Sequence, residues 1–312
     1  MTTLLLSHPA VLGHDMGPGH PERPGRVRAV LAALSPERFP ELVRMEAPAV
    51  TFEAILRAHP PAYVEALMAA RPAEGEMTRL DADTVMNDGT WAAVTHAAGG
   101  AVEAVEQVVG RKVGNAFVAT RPPGHHAEAT RAMGFCFLNN AAIAARHAQT
   151  VLGLDRVAIV DFDVHHGNGT QDVFWDDPSV LYCSTHQMPL YPGTGARSER
   201  GTHDTIVNCP LAAGDGGEAF RDAIDTMILP RVKTFAPDLI ILSAGFDAHH
   251  HDPLANLTFV EEDFAWVTRR FVDLAANLCG GRLVSLLEGG YNLEALASSA
   301  EVHVSALLGR SS

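Results

Sequence analysis

Residues 157–175, VAIVDFDVHHGNGTQDVFW, constrain the fold more than any other stretch of the chain. They begin with four apolar residues in a row, which is typical of a central parallel strand buried on both faces. Asp161, Asp163 and His165 then follow at alternate positions. Because the side chains of a strand point alternately to its two faces, we expect these three on one side of the strand end. Ligands of α/β proteins bind at the carboxyl ends of parallel strands, so the stretch predicts an α/β fold with a polar site here.

The polar residues at this strand end have the chemistry of a metal site. Two carboxylates and one imidazole suit a divalent cation such as zinc, although hydrogen-bonded side chains at a solvated strand end fit the same pattern. A further carboxylate, Asp247, comes just after another predicted strand at 239–243 and therefore occupies the equivalent place in the fold. His249, His250 and His251 follow Asp247 so closely that we interpret them as loop residues and not as metal ligands.

A second dense stretch, RPPGHHAEATRAMGFCFLNN at 121–140, follows a predicted strand at 115–120. Its prolines and glycine fix a turn that ends in His125 and His126. Histidine is the usual general base near neutral pH, and two adjacent imidazoles can face different surroundings, so we interpret the pair as functional. Near the C-terminus, Gly289 and Gly290 allow a tight turn that presents Tyr291. From this pattern alone, Tyr291 fits a structural tyrosine at the sheet end better than a catalytic one.

The composition is typical of one soluble domain. The 312 residues are 47% hydrophobic and 19% charged, and no linker, charge block or internal repeat divides them, so we expect a single domain over 1–312. The formal net charge of −14, without a cluster of Lys and Arg, argues against nucleic acid as a direct partner and favours cationic substrates. The four cysteines stand apart from one another, which is typical of buried reduced thiols. The N-terminal segment does not resemble a signal peptide and no long apolar run is present, so we expect no membrane contact and a cytoplasmic location.

Several separated segments together resemble the histone deacetylase family of zinc amidohydrolases. They are HPERP (20–24), RPPGHHA (121–127), GFCFLNN (134–140), DFDVHHGNGTQ (161–171), AGFDAHHHDPL (244–254) and EGGYN (288–292). The resemblance extends from His20 to Tyr291, and it is closest to the bacterial and class II branch because Asn168 stands where class I enzymes usually carry Asp. It implies the arginase/deacetylase-like fold, a three-layer α/β/α domain around a central, mostly parallel eight-stranded sheet.

The resemblance also implies the ions and the catalytic residues. One zinc ion per chain, with ferrous iron as the alternative, would be bound by Asp163, His165 and Asp247. A structural K⁺ or Na⁺ ion would be bound by Asp161, Asp163, His165, Ser184 and Thr185. The tandem His125 and His126 would be catalytic, with Asp161 orienting the first and Asn168 the second. Tyr291 would donate a hydrogen bond to the scissile carbonyl group.

A narrow tunnel for an acyl-lysine side chain is implied as well. Phe135 and Tyr191 match its two aromatic walls and Gly134 its floor, with Tyr191 a departure because this wall is often Phe. Leu254 matches the gatekeeper position, and Asp83 is the candidate for an aspartate at the rim. The arginine of an internal channel for acetate release would be Arg26, although Arg23 lies close enough in sequence to compete for this match.

The resulting hypothesis is a zinc-dependent amidohydrolase that removes acetyl or other acyl groups from lysine side chains of proteins or peptides. An acetylpolyamine amidohydrolase of the same family is the alternative: the apolar Leu254 argues against it, whereas the acidic loop expected at 71–88 could supply a carboxylate to the rim. A metal-containing sensor protein is a more remote alternative, because no catalytic residue is missing. An arginase-like ureohydrolase is more remote still, because it needs a second set of metal carboxylates. The sequence leaves the oligomeric state open.

Overall fold

A computed structural model describes residues 2–310 of the chain. An eight-stranded sheet, in which every neighbouring pair of strands is parallel, has the order β2-β1-β5-β10-β9-β6-β7-β8, and β3 and β4 form a separate antiparallel hairpin. The strands are β1 (Thr3–Ser7), β2 (Val43–Glu46), β3 (Met77–Arg79), β4 (Val85–Asn87), β5 (Asn115–Val118), β6 (Val157–Asp161), β7 (Val180–Gln187), β8 (Ile206–Leu211), β9 (Leu239–Ala244) and β10 (Leu283–Leu287). The α/β fold with an eight-stranded sheet is therefore confirmed.

Helices cover both faces of the large sheet. They are α1 (Gly25–Ala33), α2 (Phe52–Leu56), α3 (Pro61–Ala69), α4 (Thr90–Val109), α5 (Asn140–Thr150), α6 (Asn168–Val173), α7 (Gly217–Ala223), α8 (Leu229–Phe235), α9 (Glu261–Cys279) and α10 (Leu293–Leu307). One face carries α4 and α5, which pack on each other, and the opposite face carries α1, α9 and α10. None of the helices within residues 2–310 combines the length and the apolar character needed to cross a membrane.

The central strand β6 shows why the sheet is buried between two helical layers. Val157 and Ile159 belong to the hydrophobic core on the α4–α5 face, whereas Ala158 and Val160 belong to the core on the α9–α10 face. All four are fully buried, as expected of a parallel strand covered on both sides. The cysteines are buried free thiols, as the sequence predicts: Cys136, Cys183, Cys209 and Cys279.

The structure corrects several sequence expectations. The stretch at 71–88 is not a plain loop, because its middle forms the β3–β4 hairpin. Between α7 and α8 the chain continues through a π-helical turn, Ile224–Ile228. The edge strand β2 was not predicted, and three of its four residues are exposed, which removes the apolar signal by which a strand is recognised.

The carboxyl ends of the central strands meet at one edge of the sheet. In the register of the sheet, Asp161 at the end of β6 lies between Ser184 of β7 and Ser243 of β9. The segment after β10 joins the same edge, since Gly289 donates its N–H to the Asp163 carboxylate at 2.8 Å. The fold therefore collects the polar segments of the sequence at one place.

Candidate active site

The end of β6 places Asp163 and His165, but not through strand alternation. The strand ends at Asp161, and beyond it each side chain accepts a hydrogen bond from the backbone two residues on. Asp161 Oδ1 accepts from the N–H of Asp163 at 3.1 Å, and Asp163 Oδ1 accepts from the N–H of His165 at 2.9 Å. These local turns, which Asp side chains favour, direct Asp163 and His165 into the site. The sequence predicted that strand alternation would place Asp161, Asp163 and His165 on one side. This reason was wrong, because the strand ends at Asp161 and turns place the other two residues.

Asp163, His165 and Asp247 form a buried group whose ligand atoms all lie within 4.8 Å of one another. His165 Nδ1 is 3.1 Å from Asp163 Oδ1 and 3.2 Å from Asp247 Oδ2. Donor atoms bound to one tetrahedral zinc ion at its usual bond lengths lie about 3.3 Å apart, so the group fits such an ion. Burial, together with the nearby Asp163 carboxylate, raises the pKa of Asp247 to about 7. A cation would relieve this repulsion between two carboxylates.

The tandem histidines lie beside this group and have different partners. His125 Nδ1 is 2.9 Å from Asp161 Oδ2, and His126 Nδ1 is 2.8 Å from Asn168 Oδ1. Asn168 in turn donates its Nδ2 to Glu128 Oε1 at 2.8 Å, which orients its amide oxygen toward His126. An amide oxygen only accepts, so His126 carries its proton on Nδ1 and leaves the Nε2 lone pair free.

Electrostatics separate the two imidazoles further. Burial alone would lower the pKa of His125, but the Asp161 and Asp163 carboxylates outweigh it and raise that pKa well above the ordinary value. Burial lowers the pKa of His126 well below the ordinary value, and its neighbours His125 and His165 add to this effect. The site thus favours a cationic His125 next to a neutral His126.

Tyr291 faces the same cavity and lies against a buried guanidinium group. The Arg26 side chain is fully buried, lies 4.9 Å from the centre of the Tyr291 ring and donates Nε to the carbonyl of Gly290 at 2.6 Å. Arg23 is exposed, so Arg26 is the arginine that contacts the site. Burial raises the pKa of Tyr291 well above the ordinary value, which keeps its phenol protonated near neutral pH.

A cavity of about 220 Å³ leads from the surface to the metal-ligand group. Its lining residues are Asp83, His126, Gly134, Phe135, His165, Leu190, Tyr191, Leu254 and Tyr291. The structure therefore brings together every residue that the sequence assigns to the tunnel, and it adds Leu190.

Two aromatic rings enclose this cavity. The Tyr191 ring packs edge-on against His126, with ring centres 5.1 Å apart, and the Phe135 ring packs edge-on against Tyr291 at 5.8 Å. Gly134 has a φ of +56°, and a Cβ atom added there would lie 2.5 Å from the His126 ring. A side chain at this position would therefore displace His126.

The rim of the cavity is built by the β3–β4 hairpin. Its turn carries Asp83, whose carbonyl lies 3.1 Å from His20 Nε2 and whose N–H donates to Asp81 Oδ1 at 3.0 Å. Burial and the adjacent Asp81 raise the pKa of Asp83. These contacts fix the backbone of Asp83, and the residue lines the cavity.

The residues assigned to a monovalent cation also lie together. Ser184 is the register partner of Asp161, and both it and Thr185 are buried. Ser184 Oγ is 2.8 Å from His186 Nδ1, whereas Thr185 Oγ1 has no hydrogen-bond partner among residues 2–310. The buried oxygen atoms around Asp161 are the kind of ligand that K⁺ or Na⁺ binds, so the group fits such an ion.

The three histidines after Asp247 form a group of their own, separate from the group of Asp163, His165 and Asp247. Ring nitrogens of His249, His250 and His251 approach within 4.8 Å of one another. However, His249 Nδ1 already accepts the N–H of His251 at 3.1 Å, and His250 Nδ1 lies 3.2 Å from the carbonyl of Phe259. These contacts stabilise the loop.

Sequence reasoning missed three residues that support the site. Tyr182 donates its hydroxyl to Asp161 Oδ2 at 3.1 Å, and Glu128 holds Asn168. Glu288 accepts the N–H of Gly124 at 2.7 Å and that of His125 at 3.2 Å. A carboxylate directly after the apolar strand β10 was a signal that could have identified Glu288, whereas nothing in the sequence pairs Tyr182 with Asp161.

Comparisons with known proteins show which family the chain and its fold resemble. Residues 20–307 match the family model of the histone deacetylase domain. A probable deacetylase of Archaeoglobus fulgidus is 41% identical over 94% of this chain and 82% of its own length. The chloroplastic histone deacetylase 14 of Arabidopsis thaliana is 40% identical over 99% of this chain and 77% of its own length. The crystal structure of the HDA15 HD domain superposes with a TM-score of 0.93, at 36% identity, over 99% of this chain and 89% of that one.

Proposed function

Because the chain belongs to the histone deacetylase family, we propose that it is a zinc-dependent hydrolase that removes acetyl or other acyl groups from lysine side chains. The observation that supports this most strongly is the buried group of Asp163, His165 and Asp247 at the inner end of an aromatic-walled cavity. Zinc held by these three residues, or ferrous iron in its place, would polarise the amide carbonyl and make a water molecule acidic. Residues of the chain would transfer the protons and stabilise the negative charge that develops on the carbonyl oxygen.

His126 is the general base in this proposal. Its Nδ1 is engaged with Asn168, so the unprotonated Nε2 can take a proton from the attacking water. The same nitrogen can then return that proton to the amine of lysine when the C–N bond breaks. The proton removed from water thereby ends on the leaving group, and the free acid and the free lysine are formed.

His125 and Tyr291 stabilise negative charge. The cationic His125, held by Asp161, adds a positive charge beside His126 and Asp163. The protonated phenol of Tyr291 can donate a hydrogen bond to the carbonyl oxygen as it becomes an oxyanion. Arg26 supports this role because its guanidinium packs against the Tyr291 ring.

The cavity favours an apolar chain with a reactive end. Phe135 and Tyr191 enclose the path to the metal ligands, and Leu254 makes one side of the mouth apolar. Acylated lysine and acetylated polyamines both present a short methylene stem to these walls, so the preference falls to the mouth, where the apolar Leu254 disfavours the next charged amine of a polyamine. Asp83 at the mouth supports the alternative, an acetylpolyamine amidohydrolase, because a carboxylate there can bind a distal ammonium group.

Further parts of the hypothesis remain predictions. These are one catalytic domain over 1–312, a K⁺ or Na⁺ ion bound by Asp161, Asp163, His165, Ser184 and Thr185, a cytoplasmic location, and the absence of nucleic acid and membrane among the partners. Acylated proteins, peptides or polyamines are the partners that the proposal implies.

The proposal is tested by comparing turnover of the zinc-loaded protein on acetyl-lysine peptides and on N-acetylated polyamines. We expect a higher kcat/KM on peptides, since the Leu254 side of the mouth offers no charge to an ammonium group. Faster cleavage of polyamines would favour the alternative and assign the selectivity to Asp83. Cleavage of neither substrate, nor of longer acyl-lysine peptides, would contradict the proposed activity.

A further inference from the structure

The four residues after β10, Glu288 to Tyr291, contact three separate parts of the site. The Glu288 side chain binds the backbone of the turn before the tandem histidines, and Gly289 donates its N–H to Asp163. Tyr291 enters the cavity and donates its own N–H to Asp252 at 2.7 Å. We name this tetrapeptide, residues 288–291, the EGGY segment. It joins the turn before the proposed base, a proposed metal ligand and the proposed oxyanion donor.

Within this segment, Glu288 is the ionisable residue to which the proposed chemistry gives no role. It is 1% exposed, and its Oε2 atom accepts from the N–H groups of Gly124 at 2.7 Å and His125 at 3.2 Å. Its Oε1 atom is buried without a hydrogen-bond partner among residues 2–310. Burying a carboxylate costs free energy unless its hydrogen bonds compensate. The unpartnered Oε1 atom therefore makes the burial of Glu288 unfavourable for the stability of the fold.

Within residues 2–310, the two N–H groups that Glu288 binds form no hydrogen bond to a backbone carbonyl. Gly124 and His125 lie in a turn rather than in a helix or strand, so their N–H groups take no part in a backbone ladder. A Cβ atom added to Gly124 would lie 2.6 Å from the backbone nitrogen of Asn140, which shows how tightly the turn is packed. The main chain of Glu288 is held as well, because its N–H donates to the carbonyl of Ala244 at 3.0 Å and its carbonyl accepts from Arg26.

We propose that Glu288 is a positioning residue that fixes the turn of His125 and His126 against Asp163 and Tyr291. This inference rests on the function proposed above. Loss of the acceptor would leave two buried N–H groups unsatisfied, and the turn would shift to reach other acceptors. A displacement of His126 by a fraction of an ångström lowers the reaction rate, while Phe135 and Tyr191, to which the Glu288 side chain makes no hydrogen bond, continue to bind the substrate.

Two variants of Glu288 with side chains of nearly equal size separate the effect of its hydrogen bonds from the effect of its volume. Glu288→Gln keeps a carbonyl oxygen that can accept both N–H groups, whereas Glu288→Met keeps the volume and removes the acceptor. We expect kcat on an acetyl-lysine peptide to fall about 10- to 100-fold in Glu288→Met, with KM changed by less than about threefold. Glu288→Gln should restore kcat to within about fivefold of the parent protein.

A control and a second readout make the result decisive. Asp263→Asn alters another buried carboxylate that accepts a backbone N–H, from Val260 at 2.9 Å, but at the start of α9 and outside the site. It should lower stability and leave kcat unchanged. In the amide NMR spectrum, the Gly124 N–H signal should move strongly upfield in Glu288→Met and only partly in Glu288→Gln, because the hydrogen bond to an acceptor is lost in the first variant alone.

The NMR measurement does not depend on turnover. It therefore distinguishes failure of the proposed function from failure of the role proposed for Glu288. If the parent protein hydrolyses no acylated substrate while the Gly124 signal shifts as expected, the proposed function is wrong but the contact of Glu288 is real. If the parent protein is active and folded Glu288→Met retains its kcat, or loses activity only through KM, Glu288 is not a positioning residue.

Discussion

Single hydrogen bonds decide which chemistry each residue of the site can perform. Asn168 fixes the tautomer of His126 because its own Nδ2 is committed to Glu128. Burial keeps the phenol of Tyr291 protonated, so that it is a donor and not a charge. In the proposed mechanism, His126 can therefore accept a proton and Tyr291 can donate a hydrogen bond before a substrate binds.

The Tyr291→Phe variant isolates the second of these roles. Since Tyr291 is outside the metal-ligand group, we expect the variant to bind as much zinc as the parent protein while kcat falls by about 10²–10³-fold, the usual cost of losing one oxyanion donor. Steady-state kinetics and a zinc determination on the same sample measure both quantities. Substantial loss of zinc in the variant would contradict the role given to Tyr291.

At the scale of elements, the loop that follows β9 sets the polarity of the tunnel mouth. Asp252 in this loop accepts the N–H of Leu254 at 3.0 Å through one oxygen and that of Tyr291 at 2.7 Å through the other. The carboxylate thus fixes the backbone of Leu254, the proposed gatekeeper, next to that of Tyr291, the proposed oxyanion donor. A change of the Leu254 side chain can alter the mouth without moving Tyr291, because these contacts involve only the backbone of both residues.

The Leu254→Glu variant should therefore shift substrate preference. A carboxylate at this position can bind a distal ammonium, so we expect the ratio of kcat/KM for N-acetylated polyamines to that for acetyl-lysine peptides to rise about tenfold, the effect of one partly exposed charge pair. Leu190→Glu, at another point of the cavity lining, is the matched control and should raise the ratio less. An unchanged ratio in Leu254→Glu would remove Leu254 as the gatekeeper.

The elements that sequence reasoning found share one property, a clear apolar signal. Strands β6 and β9 are mostly apolar and are followed within three residues by Asp163 and Asp247, so both the strands and the place of these carboxylates could be predicted. The β3–β4 hairpin is short, and its first strand is mostly exposed. Contacts with distant residues fix its place: Val85 and Met86 are buried in the core, and its turn hydrogen-bonds to His20 and Phe135. Contacts between distant residues, such as Glu288 with Gly124, leave no local pattern that a single sequence reveals.

Over the whole molecule, buried neutral histidines make the stability depend on pH. His303 of α10 is fully buried between Thr268 Oγ1 at 2.6 Å and Ser285 Oγ at 2.8 Å, and burial lowers its pKa from 6.5 to about 3. Burial likewise lowers the pKa values of His59 and His186 to about 4. In the unfolded chain these residues bind a proton near pH 6.5, so the unfolded state takes up more protons than the folded state as the pH falls below that value.

The sign of the effect follows from this difference. The contribution of His303 to the free energy of unfolding is complete above about pH 6.5 and falls by up to about 1.4 kcal/mol for each pH unit between there and the folded pKa. In the His303→Gln variant, which cannot bind this proton, the free energy of unfolding should therefore depend less steeply on pH between 6 and 4, by about that amount per unit. Urea unfolding of both proteins at matched pH values measures the slopes. Parallel slopes would show that His303 does not titrate as its burial implies.

The measurement that tests the proposed zinc-dependent deacylation most directly is the release of acetate from an acetyl-lysine peptide by one protein sample in three states. The sample is assayed as zinc-loaded protein, after removal of the metal by a chelator, and after addition of one equivalent of zinc. We predict activity in the first state, its loss in the second and its recovery in the third, with no recovery in a folded Asp247→Asn variant that lacks one ligand of the buried group. Hydrolysis that persists in the metal-free state, or recovers equally in Asp247→Asn, would contradict the assignment of the reaction to this site.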